Sequence, residues 1–303
     1  MAKRMTARGF LERKERGEKI AMLTAYDYPT ARLVDAAGVD GVLIGDSLGN
    51  VVQGRTTTLP VSLEEMTYHT SMVSRAVEKA LVVADMPFLT YQVSAEEALR
   101  NAGRLMQEGG AQGIKLEGGV DIAPTVRRLV QIGIPVMGHI GLTPQSVHAL
   151  GHRVQGRTAQ AAACLMEDAF ALEAAGAFGI VLELVPDEVA TEISSRLHIP
   201  TIGIGSGAGC DGQVLVLHDM VGLDEGGVLK HTRRYAEVGQ AIRGAAETYA
   251  QEVRAGTFPS AEHATSLGAA GAEVLAAMRQ VEKRHAIQEG DDGTEINPYG
   301  GAR

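Results

Sequence analysis

Eight short apolar runs punctuate this chain, and helical patterns lie between them. The runs are residues 20–26, 41–46, 81–87, 113–117, 135–140, 179–184, 200–204 and 214–218. Short apolar runs bounded by turn residues read as buried parallel strands. Ser62 stands three residues before Glu65, and Ser94 three before Glu97, the spacing of a capping box. Helices are expected over residues 29–37, 63–80, 94–107, 121–132, 158–175 and 186–197, with Gly38, Gly133 and Gly176 as stops. Eight strands alternating with helices predict an α/β fold, a (β/α)8 TIM barrel with extra C-terminal helices. An open doubly wound sheet is the rival. After the eighth run, helices are expected over residues 232–255 and 260–283. The polar, glycine-rich residues 289–303 are expected to be disordered or to dock on a neighbouring subunit. The domains expected are a barrel over residues 1–265 and a helical extension with a flexible tail over 266–303.

Four of the runs lead into an acid: Asp46, Asp85, Glu117 and Glu183. A carboxylate at the C-terminal end of a buried strand contributes little to packing. It suits an active site, because a parallel barrel gathers those ends at one face. A lone acid there reads more readily as a cap for the next loop. Four converging acids repel one another unless a cation or a proton sits among them. Asp46 and Asp85 are the leading metal candidates, since hard carboxylate oxygens suit Mg²⁺. Lys115 and Glu117 are two apart on one strand and share a face. They form either a structural ion pair or a substrate-neutralising cation beside a metal-linked acid.

Glu183 is flanked by apolar residues on both sides. Burial there would raise its pKa towards neutrality, as a general base needs; the alternative is a salt bridge to a buried arginine or lysine. His139, at the end of the fifth run, is either a proton carrier or metal ligand or a hydrogen-bonded core histidine. The turn from Gly45 to Gly49 lets the backbone approach a ligand, with the Ser47 hydroxyl beside Asp46. The glycine-rich stretch from Gly203 to Gly209 follows the seventh run, where barrels bind phosphate, and taken alone suggests a phosphate cradle. His148, His152 and His218 are placed to decorate the mouth.

The formal net charge of −9 argues against a nucleic-acid partner. The basic stretch over residues 3–19 reads as a solvated terminus. No stretch approaches the ~18 apolar residues that span a bilayer, so no membrane partner is expected. Tryptophan is absent and aromatics total 4%, which leaves few platforms for stacking bases. Cys164 and Cys210 lack paired-motif spacing and no signal peptide is apparent, so a cytoplasmic location is expected.

Nine longer segments carry a resemblance: MLTAYDYPTA from Met22, GDSLGNVVQG from Gly45, TLPVSLEEMTYHT from Thr58, VVADMPF from Val82, GIKLEGG from Gly113, PVMGHIGLTPQ from Pro135, RVQGRT from Arg153, VLELVP from Val181 and IPTIGIGSGAGCDGQVLVLHDMVGL from Ile199. In order and without large gaps, the chain resembles the 3-methyl-2-oxobutanoate (ketopantoate) hydroxymethyltransferase family over residues 5–265. The resemblance implies a (β/α)8 enzyme of pantothenate biosynthesis. Such an enzyme adds the one-carbon unit of 5,10-methylenetetrahydrofolate to 3-methyl-2-oxobutanoate and forms 2-dehydropantoate. It implies Mg²⁺ on Asp46, Asp85 and Glu117, the oxo acid held by Asp46, Ser47, Asp85 and Lys115, and Glu183 as proton acceptor. It also implies a homo-oligomer, commonly a decamer. Asn50 stands where methionine is expected, Arg55 replaces histidine or tyrosine, and Gly151-His152-Arg153 lacks a second glycine. The alternative is a Mg²⁺-dependent oxo-acid carbon–carbon lyase of the isocitrate lyase and phosphoenolpyruvate mutase group. The nucleophilic or acid cysteine loop of such a lyase is not apparent here. A barrel that only binds a metabolite is a third reading.

Overall fold

The computed structural model describes residues 4–223 and 230–292. Eight parallel strands close into a barrel in chain order: β1 Ile20–Thr24, β2 Gly41–Ile44, β3 Leu81–Asp85, β4 Gly113–Glu117, β5 Val136–Gly141, β6 Gly179–Glu183, β7 Thr201–Ile204 and β8 Gly212–Leu215. β1 pairs with both β2 and β8, which excludes the open sheet. Seven strands lie within or nearly within their expected runs. β8 starts at Gly212, opposite Ile20, two residues before the expected 214. Its end is set where Leu217 N donates to Thr24 Oγ1 at 3.0 Å, and His218 therefore lies on a helical turn rather than on a strand.

The helices are α1 Ala7–Glu15, α2 Tyr28–Ala36, α3 Leu48–Val51, α4 Leu63–Ala76, α5 Ala95–Gln107, α6 Ala123–Gln131, α7 Val147–Leu150, α8 Ala159–Ala175, α9 Asp187–Arg196, α10 Leu217–Met220, α11 Val238–Ala255 and α12 Gly271–Asp292. α4 opens on the expected capping box: Glu65 N donates to Ser62 Oγ at 3.2 Å, and Ser62 N donates to Glu65 Oε2 at 2.7 Å. It stops at Ala76 rather than residue 80. The buried Asp35 carboxylate accepts hydrogen bonds from the backbone N–H groups of Glu78, Lys79 and Ala80, which draws them out of the helix and into the entry of β3. At the next helix, Ser94 Oγ accepts from Glu97 N at 3.1 Å.

The basic N-terminal stretch is not a solvated terminus. From Thr6 onward it forms α1, whose Phe10 is fully buried in the foot of the barrel. Phe10 meets Phe178 edge-on, with ring centroids 5.8 Å apart, and packs with Ile20, Met22 and Met137. Arg13 pairs with Asp40 at 2.6 Å and Lys14 with Asp211 at 2.7 Å. The barrel is thus plugged with apolar side chains at one end, which leaves the opposite, acid-bearing end for chemistry. Phe10→Ala is expected to destabilise the fold by about 3–5 kcal/mol, because the plug cannot collapse around the lost ring. Urea unfolding measures this, and a loss below about 1 kcal/mol would show that α1 does not close the core.

The chain divides into two compact units, Met1–Gln240 and Ala241–Arg303. In the second unit, Phe258 lies between the rings of Tyr249 and His263, at 5.6 and 5.2 Å. The expected helix over 260–283 is interrupted at its start by short 3₁₀ turns at Ala261–His263 and Gly268–Ala270, and α12 then runs on to Asp292. Residues 289–292 of the expected flexible tail are therefore helical, and 293–303 lie outside the described residues. Among the described residues, no helix is long and apolar enough to cross a membrane.

Candidate active site

β2 ends in the turn Gly45-Asp46-Ser47. A Cβ at position 45 would lie 2.7 Å from Ser47 Oγ and 3.4 Å from Asp85 Oδ2, so glycine lets this turn close over the Asp85 carboxylate. Asp46 N donates to Asp85 Oδ2 at 3.1 Å. Ser47 Oγ is paired with the Tyr26 hydroxyl at 2.8 Å. Lys115 and Glu117 share a face of β4, as their spacing predicts. Lys115 Nζ lies 2.8 Å from Asp85 Oδ1 and 3.9 Å from Glu117 Oε1. On the next strand, His139 places Nδ1 3.4 Å from Glu117 Oε1 and Nε2 3.3 Å from Glu183 Oε2. Asp46, Asp85, Lys115, Glu117 and His139 are all buried, and Ser47 and Glu183 stand at their edge. The strand-end acids that are far apart in sequence thus form one cluster.

Burial, then the charges of Glu117 and Asp85, push the Asp46 carboxyl up to about 7. Burial also raises Asp85, against the pull of Lys115. Glu117 goes the other way: burial opposes ionisation, but His139, Lys115 and the Gln145 N–H hold the carboxylate below its ordinary range. Burial likewise works against the Lys115 ammonium, yet Asp85, Glu117 and Asp46 raise it overall. For His139, burial and the Lys115 ammonium 3.2 Å away both oppose protonation. Glu117 and Glu183 outweigh them and raise the imidazole to about 9.

Glu183 differs from expectation. Its side chain is 18% exposed rather than buried, and its ionic neighbour is His139, not a lysine or arginine. The following residue, Leu184, is held at φ 47°, a left-handed conformation that costs a leucine about 1 kcal/mol or more. Leu184 N donates to Ile204 O and Gln155 N donates to Leu184 O, both at 2.9 Å. Ser206 Oγ accepts from Val185 N and donates to Leu182 O. These bonds fix the backbone on either side of Glu183.

The donor set fits a divalent cation. Asp85 Oδ1 and Glu117 Oε1 are buried and face the Lys115 ammonium and the His139 ring, but neither contact has hydrogen-bond geometry, which leaves acceptor capacity on both oxygens. With all groups ionised, four carboxylates face one ammonium and one imidazolium, an excess of two negative charges. Among the described residues no group of three or more His, Cys, Asp or Glu side chains forms a ready metal cage. Mg²⁺ commonly takes one or two carboxylates and completes its shell with water and ligand oxygens.

Residues 4–261 match the model of the ketopantoate hydroxymethyltransferase family. The chain belongs to that family. A 3-methyl-2-oxobutanoate hydroxymethyltransferase of Chloroflexus aurantiacus is 55% identical over 275 residues, 91% of this chain and 97% of that one. One from Pelobacter propionicus is 55% identical over 264 residues, 87% of this chain and 98% of its own. Among solved structures, a phosphonopyruvate hydrolase complexed with oxalate and Mg²⁺ aligns with a TM-score of 0.58 at 14% identity, covering 93% of this chain and 100% of that one. A 2,3-dimethylmalate lyase aligns with a TM-score of 0.55 at 18% identity, covering 94% and 98%. These two likenesses show a common fold. All seven residues singled out for the site fall inside the family-matched segment, and α12 lies beyond it.

Asn50 and Arg55 serve the loop after α3. Arg55 pairs with Glu65 at 2.8 Å, and Asn50 Nδ2 donates to Arg55 O at 2.9 Å. They tie that loop to the capping box of α4. The glycines of the stretch from Gly203 to Gly209 have a packing role. A Cβ at Gly207 would collide with the Asp187 carboxylate and one at Gly209 with Thr191, so these glycines let the loop lie close against α9. A cavity of about 700 Å³ beside it is lined by Lys19, Leu184, Gly205, Cys210 and Gln213 and contains none of the clustered acids. His148 lies on α7, and His218 packs beside Tyr26 with ring centroids 5.4 Å apart. Sequence reasoning missed Gln145, Tyr91 and Tyr26. Gln145 sits inside the segment from Pro135, but a neutral amide after a strand carries no charge anomaly to mark it.

Proposed function

We propose that this chain transfers a hydroxymethyl group from 5,10-methylenetetrahydrofolate to 3-methyl-2-oxobutanoate and forms 2-dehydropantoate, with Mg²⁺ as its metal. The observation that carries this reading is the buried Lys115 among Asp46, Asp85 and Glu117, with Glu183 reaching the same cluster through His139. Asp46, Asp85 and Glu117 are the residues that would hold Mg²⁺. Bound there, the ion supplies Lewis acidity to the oxygens of the oxo acid.

The chain's own groups do the rest. Ser47, Asp46, Asp85 and Lys115 orient the oxo acid. The Glu183 carboxylate accepts the C3 proton as the C3–H bond breaks. The released electron pair moves between C3 and C2 and places negative charge on the keto oxygen. The Lys115 ammonium, already fixed by Asp85, stabilises that charge without reorganising. Both carbon–nitrogen bonds of the donor methylene break as that carbon bonds to C3 and to the oxygen of one water; the two folate nitrogens leave with the electron pairs and take up the two protons, one from C3 by way of Glu183 and one from the water. His139 Nε2, 3.3 Å from Glu183 Oε2, holds that carboxylate against the cluster. The same family resemblance implies a homo-oligomer. The lyase alternative draws only on fold likeness at 14% and 18% identity, so transfer is favoured.

Product formation tests the reading. Purified protein given the oxo acid, the folate and Mg²⁺ is expected to release 2-dehydropantoate, identified by mass spectrometry. EDTA is expected to lower the rate by at least about 100-fold, and excess Mg²⁺ to restore it. No product under any of these conditions, or a rate indifferent to EDTA, would contradict it.

A further inference from the structure

We infer that Gln145 is a positioning residue that sets the separation of the Asp46 and Glu117 carboxylates, and through it the site's affinity for a divalent cation and the oxo acid. Gln145 lies in a 3₁₀ turn after β5 and is 5% exposed. Its backbone N–H donates to Glu117 Oε2 at 3.0 Å. Its Nε2 donates to Asp46 Oδ2 and to Met86 O, both at 2.9 Å. Its Oε1 faces the Tyr91 hydroxyl at 2.8 Å and Gln92 Nε2 at 3.2 Å.

This amide has no freedom to flip. Met86 O only accepts, so a donor must face it, and the same nitrogen then turns its second hydrogen to Asp46. The Tyr91 hydroxyl also lies 3.0 Å from Glu117 O and accepts from Glu117 N at 3.1 Å, so Tyr91 and Gln145 grip Glu117 from its backbone and its carboxylate. One residue thereby ties an acid 99 positions away to an acid 28 positions away. It does so with neutral donors, which orient the carboxylates without cancelling the charge a cation would use. A lysine in its place would compete with that cation. Asp85 lies within the same frame through its bond from Asp46 N.

Because this role depends on the site binding a divalent cation and an oxo acid as proposed above, the parent protein is measured first. Mn²⁺ replaces Mg²⁺ as a paramagnetic probe, and its dissociation constant is read from the free-ion signal with 3-methyl-2-oxobutanoate present. Gln145→Met keeps the length of the side chain and the backbone bond to Glu117 while removing both amide bonds from Nε2. It is expected to weaken Mn²⁺ about 10–100-fold and to raise the KM for the oxo acid more than it lowers kcat. Tyr91→Phe, which frees one side of the amide, is expected to weaken Mn²⁺ about 3–10-fold and decides the matter if Gln145→Met does not fold. An amide that serves only the fold would lower the unfolding midpoint and leave the dissociation constant of the folded protein within about twofold, and that result overturns the inference. Absence of Mn²⁺ binding in the parent protein overturns the proposed site itself.

Discussion

Glu183→Gln is expected to lower kcat on the order of 10²–10⁴-fold and to leave Mg²⁺ and oxo-acid affinity within a few-fold. The substitution keeps the shape of the side chain and removes its negative charge, and with it the capacity to take a proton. Glu183 stands at the edge of the cluster, 18% exposed, and the structure gives it one ionic neighbour, His139, at 3.3 Å. The buried acids Asp46, Asp85 and Glu117 keep every bond they make to one another, to Lys115 and to Gln145. Loss of rate without loss of binding is therefore the signature of this residue. A variant that kept parental kcat would remove Glu183 from the chemistry, and one that failed to bind the oxo acid would make it a binding residue instead.

Lys115→Met is expected to have the larger effect on the protein as a whole. Lys115 is the cation at the centre of three buried carboxylates, and the methionine leaves them uncompensated. Removing one partner from a buried ionic group costs about 3–5 kcal/mol, because the remaining charges stay away from water. The acids relieve this by binding protons or a cation. Mg²⁺ is therefore expected to raise the unfolding midpoint of the variant more than that of the parent, since a ligand that binds only the folded state stabilises it by mass action. The rate should fall about 10²–10³-fold even with Mg²⁺ saturating, because the charge on the keto oxygen loses a fixed donor. Calorimetric unfolding with and without Mg²⁺ measures the first effect. A variant as stable as the parent, with an unchanged response to Mg²⁺, would mean that the three acids do not need this cation.

The acids were legible because they break a rule of packing: an acid at the end of a buried strand has to be explained. Alternation along β4 then placed Lys115 and Glu117 on one face, and closure of the barrel brought them to Asp85 and His139. Features that break no rule were not legible. α1 buries one fully enclosed side chain, Phe10, so its nine residues show no apolar stripe and read as a charged terminus. Gln145 is an uncharged residue in a turn, and its importance lies in what converges on it in space. The glycines of the loop after β7 were ambiguous for a physical reason: absence of a side chain serves close packing as well as ligand approach, and the close approach of Asp187 and Thr191 shows the first of these roles. The apolar neighbours of Glu183 gave the environment of the strand but not the direction its last side chain takes, which is towards the mouth and His139.

Proton exchange at C3 of 3-methyl-2-oxobutanoate tests the central claim most directly. In D₂O with the protein and Mg²⁺ and no folate, the C3 proton signal in the NMR spectrum is expected to decay, to stop decaying when EDTA is added, and to persist in Glu183→Gln. Decay at the parental rate in Glu183→Gln would contradict the assignment of Glu183 as the base that opens the reaction.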